Sequence, residues 1–204
     1  MYIPRPFQIG DSEAHELLHG IKVGQLVTAT SDGPLATLVP WIIDIENNSM
    51  IGHISRANPQ WKTPWLGSVM VIAEGPNGYV RPGWYETKRE TGKVVPTWNY
   101  VAVHIYGELI VHDDIDWINS AVHKLTDHHE STRTSPWKVD DAPQDYLDAQ
   151  LKAIVGVEVK IQRIEVAVKM SQNKTDADAA GVIKGFADEG EAELSDWVRR
   201  STQR

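Results

Sequence analysis

Alternation of apolar and polar residues is clearest between residues 97 and 112, and it predicts a β-strand there. Val101, Val103 and Ile105 share one parity, and polar residues fill most of the other. A second long strand is predicted over residues 153–169, where the apolar parity switches near Arg163 and indicates a bulge or sharp bend. Shorter strands are predicted over residues 25–31, 35–45, 49–56 and 68–74.

Turn and helix signals separate these strands. Asp32-Gly33 and Asn47-Asn48 predict tight turns, so the strands beside them should pair antiparallel. Asn58-Pro59 has the residue types of a helix cap and a first helical position. Residues 75–96 contain four Gly and three Pro and are predicted to be a loop. Helices are predicted over residues 12–19, 59–66, 114–129 and 143–152, and again after residue 174.

The order of these elements predicts an α+β fold. About six antiparallel strands, one of them long and bent, favour a closed barrel with helices at its flanks. The chain carries neither a G-x-G-x-x-G nor a P-loop sequence, so nothing in it indicates a dinucleotide-binding fold.

Composition narrows the class of protein. The chain has no Cys, which excludes disulfide scaffolds, thiolate nucleophiles and Cys-ligated metal clusters. Its formal net charge of −8 disfavours a protein that coats nucleic acid by neutralising phosphates. No apolar run approaches the roughly 18 residues of a membrane span, and the N-terminus lacks the pattern of a signal peptide. We therefore expect a cytoplasmic protein. Its eight Trp, beside only two Phe, are more than such a protein ordinarily has.

The segment from Gly52 to Trp61 is the first candidate for chemistry. A strand end there presents His53, Ser55 and Arg56, and a helix is predicted to begin just after them. Free backbone N–H groups at a helix start, with a guanidinium and a hydroxyl nearby, form a natural phosphate site. The alternative is equally compatible with the spacing: Arg56 is a solvated residue at a strand end, and Asn58 is only a cap.

The segment from Gly78 to Tyr100 is the second candidate, with two Trp, three Tyr, two Lys and two Arg in 23 residues. Exposed aromatic side chains there suit stacking on a flat ring whose anionic end meets a cation. They equally suit a protein–protein interface, or a loop folded back over the barrel mouth. A polar cluster from Lys169 to Lys174 follows the last long strand, beside the predicted rim or as a helix cap. His123, His128 and His129 have an awkward spacing for a metal, so we expect a solvated helix end.

Several stretches, in order, resemble the PaiB family of FMN-binding transcriptional regulators, which is grouped with the pyridoxamine-phosphate oxidases as split-barrel flavoproteins. The resemblance spans about residues 1–186. Its most specific part is Gly92-Lys93-Val94-Val95-Pro96-Thr97-Trp98-Asn99-Tyr100. The other matching stretches are Met1-Tyr2-Ile3-Pro4, Gly52-His53, Arg56-Ala57-Asn58-Pro59, Trp61, Tyr79-Val80, Pro82, Trp84-Tyr85, Val103-His104, Gly107, Leu125-Thr126-Asp127, His129-Glu130, Pro136-Trp137, Ile154-Val155-Gly156 and Ser171-Gln172-Asn173.

This resemblance implies an antiparallel split β-barrel over residues 1–186 that dimerises and holds FMN in a cleft between subunits. Residues 187–204 are then an acidic helical C-terminal extension. By position, the resemblance places His53, Ser55, Arg56 and Asn58 near the phosphate and Trp98 and Asn99 near the ring. It adds Lys169 and Gln172, contributed by the other subunit, with Lys88 and Lys93 as looser candidates for phosphate or interface contacts.

The function that the resemblance implies is negative transcriptional regulation. Because the chain is acidic and shows no helix-turn-helix pattern, direct DNA binding is doubtful and we expect a flavin signal or a partner protein. One alternative is an FMN-dependent oxidoreductase of the flavin reductase or oxidase type, acting on a small substrate. Another is a split barrel that binds haem, through His53 or His104, or a different flavin.

Overall fold

The computed structural model describes residues 1–203. Within that range the chain forms seven β-strands, six α-helices and four short 3₁₀ turns. The strands are β1 (Val23–Thr30), β2 (Gly33–Pro40), β3 (Ile42–Asp44), β4 (Ser49–Ser55), β5 (Val69–Val80), β6 (Thr97–His112) and β7 (Ile154–Lys169). The α-helices are α1 (Asp11–His19), α2 (Glu86–Glu90), α3 (Ile115–Glu130), α4 (Gln144–Lys152), α5 (Asp176–Asp188) and α6 (Ala192–Thr202).

The strands form one sheet in the order β2-β1-β5-β6-β7-β4-β3. Antiparallel pairing joins β1 to β2 and β3 to β4, as the turn signals predicted. It also joins β1 to β5 and β4 to β7. The backbone groups into two compact units. The first contains Met1–Ala14, Glu74–Val103 and the chain from Glu165 onward; the second contains His15–Ala73 and His104–Ile164.

The core of the second unit is built from alternate residues of its strands. Leu26, Val39 and Val71 are fully buried on one side of the β1, β2 and β5 ladders. On α3, Ala121 and Leu125 pack against Ile42 and Ile51 of β3 and β4. Asp114 caps α3 by accepting a hydrogen bond from the Trp117 N–H at 2.9 Å, within one residue of the predicted helix start.

The first unit has its own core. Phe186 of α5 and Leu194 and Val198 of α6 are buried. The Trp84 ring meets Phe186 edge-on, with 5.0 Å between ring centroids. Among residues 1–203, no helix is both long and apolar enough to cross a membrane.

Three sequence predictions of elements were wrong. The predicted helix over 59–66 is only a 3₁₀ turn, Pro59–Trp61, because Pro64 disfavours helical backbone at the residue before it. The predicted strand over 35–45 breaks at Trp41, whose N–H donates to the Lys22 carbonyl and whose ring nitrogen donates to Gly24. The hairpin turn is Ser31-Asp32, since Gly33 pairs with Thr30 as the first residue of β2.

The predicted loop over 75–96 was also wrong in part, because β5 continues to Val80 and α2 follows. Two of its four glycines, Gly75 and Gly78, serve close packing within β5. A Cβ at Gly75 would lie 2.8 Å from the Val101 Cβ, and one at Gly78 would lie 2.6 Å from a Leu194 methyl. Both approaches are shorter than van der Waals contact, so a side chain at either position would displace its neighbour, least easily at Gly75, where that neighbour is a Cβ.

Candidate functional site

The aromatic residues of the segment from Gly78 to Tyr100 divide into buried and exposed members. Tyr85 is buried, and the Trp84 ring packs on α5, where a Cβ at Gly185 would lie 2.2 Å from it. Trp98 and Tyr79 remain 49% and 46% exposed, with their ring centroids 6.1 Å apart. Part of this segment therefore closes the core of the first unit, and part of it presents an aromatic surface.

A cleft of about 220 Å³ lies beside this aromatic surface, at the start of β6. The Trp98 indole N–H donates a 3.2 Å hydrogen bond to the Asn77 side-chain oxygen, which fixes the ring at the cleft wall. A fixed, half-exposed indole is suited to stacking against a flat ring. The lining residues are Glu74, Asn77, Trp98, Tyr100, Val101 and Ala102.

Lys169, at the end of β7, holds its charge next to this cleft. Its ammonium donates to the Thr97 hydroxyl at 2.5 Å and to the Trp98 carbonyl at 2.7 Å, and it lies 5.7 Å from the Tyr100 ring centroid. Burial, with a smaller contribution from the charge of Lys174, lowers the pKa of Lys169 below its ordinary value. A cation is therefore fixed beside an aromatic platform.

Asn99 is fully buried, and its side-chain amide N–H₂ is unpaired among the described residues. Its side-chain oxygen accepts a 3.1 Å hydrogen bond from the Ser171 hydroxyl, whereas its Nδ2 has no hydrogen-bond partner among residues 1–203. Ser171 itself adopts φ +62°, a left-handed conformation that is costly for a residue with a Cβ. An unsatisfied buried amide beside strained backbone is the kind of group that a bound ligand can satisfy.

Gln172 is committed to the backbone around it. Its Oε1 accepts from the Met170 N–H at 2.6 Å, and its Nε2 donates to the Val168 carbonyl. It shapes the turn after β7 and so supports the position of Lys169. The structure thus brings four of the candidates, Trp98, Asn99, Lys169 and Gln172, to the junction of β6 and β7 in the first unit.

The candidates at the end of β4 lie in the second unit. The Arg56 guanidinium donates from Nε to the Lys152 carbonyl at 2.7 Å and from Nη2 to the Ile154 carbonyl at 3.0 Å, and its Nη1 lies 2.6 Å from an Asp113 oxygen. Three of its five N–H groups are thereby engaged. Arg56 is held in place with two donors left, and any anion there shares it with Asp113.

Ser55 and Asn58 arrange the turn that follows. The Ser55 hydroxyl oxygen accepts from the Ala57 N–H at 3.2 Å, which leaves its own O–H as a donor. The Asn58 side chain caps the 3₁₀ turn by accepting from the Gln60 N–H at 2.9 Å and donates to the Thr37 hydroxyl at 2.8 Å. The cap predicted for Asn58 is confirmed, and both the oxygen and the nitrogen of its amide hold the turn in place.

Two residues of this turn were missed by the sequence analysis. Lys62 places its ammonium 4.4 Å from the Trp61 ring centroid, and Arg56 contacts the same ring at 5.9 Å. Gln60 is buried and bonded to the β1–β2 hairpin. The signal for Lys62 was a cation one residue after a Trp; nothing in the local sequence marks Gln60 as buried.

His53 and Lys88 stand apart from these clusters. His53 on β4 has a buried Nδ1 without a hydrogen-bond partner among residues 1–203, and burial lowers its pKa below the ordinary value. Lys88 lies on α2, exposed, and its ammonium has no contact within the described part of the chain that would place it in either cluster.

A family model and several curated relatives match most of this chain. The sequence model of a family described as "Putative FMN-binding domain" matches residues 1–163. The protein "Protease synthase and sporulation protein PAI 2" of Bacillus subtilis is 31% identical over 193 residues, 93% of this chain and 90% of its own length. An uncharacterized Aspergillus fumigatus protein is 35% identical over 176 residues, 70% of this chain and 67% of its own length.

Solved structures give the fold. A flavocytochrome of Azotobacter vinelandii superposes with a TM-score of 0.58 at 11% identity, covering 82% of this chain and 72% of its own. An FAD- and haem-binding protein of Mycobacterium smegmatis gives 0.58 at 13% identity, covering 81% and 74%. The predicted fold class, an antiparallel split β-barrel with flanking helices, is confirmed.

Proposed function

Because this chain belongs to the PaiB family of FMN-binding split-barrel proteins, we propose that it works as a homodimeric, flavin-dependent negative regulator of transcription. FMN is the cofactor that the family match assigns to it. When bound, FMN supplies electron-transfer chemistry that no side chain of this Cys-free protein offers. The regulatory role is inferred from the resemblance and from the Bacillus subtilis relative, whose name refers to protease synthase and sporulation.

The observation that carries the cofactor assignment is the half-exposed Trp98 beside a cleft and a fixed cation. The residues fit the ring end of FMN. Trp98 offers a stacking face, and the Lys169 ammonium can balance negative charge that develops on a flavin.

The end of β4, in the second unit, is by itself a candidate site for an anionic group such as a phosphate. Ser55 retains its O–H, Arg56 retains two N–H groups, and Lys62 adds a second cation to the same turn. Charged hydrogen bonds of this type each contribute about 1.5–3 kcal/mol. His53 and Asn58 would support this end by position, and Lys88 remains a looser candidate.

The size of the cleft supports a dimer. Sites for ligands of this size usually enclose about 300–1,000 Å³. The cleft beside Trp98, at about 220 Å³, takes part of an FMN molecule and leaves the remainder to be covered. A second subunit is the covering that the family resemblance implies.

The test of the stacking role uses two Trp residues with nearly equal exposure. Trp98→Ala should weaken FMN binding about tenfold or more, since loss of ring stacking costs about 1–3 kcal/mol. Trp137→Ala is the matched control, because Trp137 is 47% exposed against 49% for Trp98 and belongs to the second unit, whereas Trp98 belongs to the first. Quenching of flavin fluorescence measures both affinities, and equal affinities would contradict the assignment of the ring to Trp98.

A second candidate ligand is haem, which two half-buried imidazoles favour. His53 and His104 each bury an Nδ1 that has no hydrogen-bond partner among residues 1–203. An imidazole nitrogen without a partner is free to bind iron. The absorption spectrum of the purified protein distinguishes the two cofactors, because haem gives an intense Soret band and FMN gives the flavin bands.

A further inference from the structure

Helix α1 carries two histidines one turn apart. His15 and His19 are separated by four positions, and Glu16 directly follows the first, so residues 15–19 read His-Glu-Leu-Leu-His. The H-E-x-x-H pattern on a helix places two imidazoles on one face, which is how many metalloproteases hold zinc. A five-residue pattern also arises by chance, so the surroundings of these residues decide what it means.

The structure meets the first requirement of the pattern, because all five residues lie in α1, Asp11–His19. Side chains four residues apart on an α-helix have Cβ atoms about 5–6 Å apart. Imidazole nitrogens bind zinc at about 2.0–2.1 Å, so both rings can reach one ion between them. Leu18, directly before His19, is only 2% exposed and anchors this turn of the helix.

Both imidazoles line the same cavity, which has a volume of about 140 Å³ and belongs to the second unit. Its other walls include Ile43, Ile45 and Ile161, from β3, the turn after it and β7. A water molecule takes up about 30 Å³, so the cavity has room for a metal ion with several bound waters. The two histidines therefore border a space of suitable size.

Neither imidazole has another partner. Within residues 1–203, His15 and His19 are exposed and make no hydrogen bond, ion pair or ring contact. By contrast, the His112 ring nitrogen lies 2.9 Å from a Glu158 oxygen. An imidazole nitrogen without a partner is free to bind a metal. The pair on α1 therefore has its ligand atoms available.

Asp44 brings negative charge to the same cavity. Its carboxylate accepts hydrogen bonds from the Asn47 backbone N–H at 3.2 Å, the Asn47 side chain at 3.1 Å and the Lys124 ammonium at 3.3 Å. Burial acts to raise the pKa of Asp44, but these hydrogen bonds outweigh burial and hold the pKa below its ordinary value. The Lys124 side chain is 53% exposed and that of Asp44 only 12%, so solvent screens the lysine more. The ionised carboxylate favours a cation in the cavity.

We propose that His15 and His19 form a binding site for Zn²⁺, independent of the flavin. Imidazole suits zinc, copper and nickel, whereas Mg²⁺ and Ca²⁺ prefer oxygen ligands. Among the described residues, no group of three or more His, Asp and Glu side chains is placed to hold a metal. The two imidazoles are therefore the protein ligands, and water completes the coordination. Catalytic zinc sites have three protein ligands, so we assign metal binding to this site and not hydrolysis.

A bound ion joins two turns of α1 and stabilises the folded protein. The helix has nine residues, of which only Leu18 is buried, and isolated helices of this length are marginal in water. Because the unfolded chain has no preformed site, Zn²⁺ binds the folded form preferentially and raises the free energy of unfolding. This stabilisation gives a second measurable effect beside affinity.

Isothermal titration calorimetry with ZnCl₂ tests the site on the untagged, metal-free protein. The wild type should bind one Zn²⁺ per chain. His15→Gln and His19→Gln should each bind it about tenfold more weakly or worse, because losing a ligand costs at least as much as losing a second-shell partner. His128→Gln is the matched control, since His128 is exposed near the end of α3 and has no histidine four residues away. Its affinity should equal that of the wild type, and an equal concentration of MgCl₂ should not compete.

Thermal unfolding with and without ZnCl₂ gives the second measurement. The melting temperature should rise with Zn²⁺ for the wild type and His128→Gln, and it should stay unchanged for the two α1 variants. Metal-free melting temperatures show that each variant is folded, as expected for substitutions of exposed side chains. A wild type that takes up no Zn²⁺, an unchanged affinity in either α1 variant, an equal loss in His128→Gln, or competition by MgCl₂ would overturn the proposal. None of these measurements involves FMN, so their outcome is separate from the proposed function.

Discussion

The Gln60 side chain is 2% exposed and joins the turn after β4 to the β1–β2 hairpin. Its Oε1 accepts from the Thr37 hydroxyl at 2.5 Å, and its Nε2 donates to the Leu26 carbonyl at 3.0 Å and the Thr28 hydroxyl at 3.1 Å. A buried carboxamide with these partners is a fixed structural element, because losing it leaves several buried groups unsatisfied. Gln60 therefore positions the turn that carries Arg56 and Lys62.

His53 gives the fold a pH dependence whose sign follows from its burial. Burial holds its pKa below the ordinary value of 6.5, so the unfolded chain binds this proton more readily than the folded one. Stability is then complete above the ordinary pKa and declines as the pH falls through it. His104 has the same sign, since burial also lowers its pKa, whereas hydrogen bonding to the Asn119 carbonyl raises the pKa of His123 and gives the opposite sign.

We expect His53→Gln to lose less stability than the wild type between about pH 7.5 and about pH 5.5. Urea denaturation at a series of pH values measures the free energy of unfolding of both proteins. His128→Gln is the control, since His128 is exposed on the last turn of α3. Parallel pH curves for His53→Gln and the wild type would show that His53 does not remain neutral in the folded protein.

At the scale of elements, the sequence patterns located the long strands correctly. They gave wrong element bounds where tertiary packing, rather than local sequence, determines the conformation. The strand predicted over 97–112 and the helix predicted over 114–129 match β6 and α3 within one residue, because their periodicity reflects burial on one face. Gly75 and Gly78 counted as loop residues in the sequence. In the structure they admit Val101 and Leu194, which lie 26 and 116 residues away in the chain, and no local pattern records such contacts.

The helix pair α5 and α6 bears on the proposed role in transcription, because it has one feature of a DNA-binding unit. The two helices are joined by three residues around Gly190, at φ +84°, a connection of the length found in DNA-binding helix-turn-helix units. The negative charge of this helix pair disfavours DNA binding. From Asp188 to Asp196 there are five acidic residues and no basic one, and this stretch includes the first turn of α6, where a recognition helix contacts bases.

We predict that the isolated protein has negligible affinity for duplex DNA at about 0.15 M salt, because the acidic first turn of α6 repels phosphates. Fluorescence anisotropy with labelled duplexes, including DNA from upstream of its own gene, measures this. The double variant Glu191→Lys with Glu193→Lys is the comparison, and it should bind more tightly than the wild type if acidity is what excludes DNA. Saturable, sequence-dependent binding by the wild type would contradict the prediction.

Across the whole molecule, the sequence predicted the fold class better than the site. Motifs spread over most of the chain indicated the split barrel, and the family match over residues 1–163 confirms it. The site was harder to predict, because the sequence does not show which hydrogen-bond donors are already bonded to other parts of the protein. The sequence left Arg56 as either a phosphate ligand or a solvated residue at a strand end. In the structure it holds two carbonyls and Asp113, and these partners lie in segments far along the chain.

Local sequence also did not show how the C-terminal segment packs. Residues 187–204 were predicted to be an acidic helical extension of the family domain, and that boundary stays a prediction. The structure confirms the helix and adds that Leu194 and Val198 of α6 are buried in the core of the first unit with Phe186. This segment therefore stabilises the unit that carries Trp98 and Lys169.

The central claim is that this fold binds FMN, and titration of the flavin-free wild-type protein with FMN tests it most directly. Flavin fluorescence should be quenched to saturation at one FMN per chain. Riboflavin, which lacks the phosphate, should bind at least tenfold more weakly, as loss of about 1.5–3 kcal/mol from charged hydrogen bonds requires. Flavin fluorescence that stays unchanged as FMN is titrated against the protein would contradict the account.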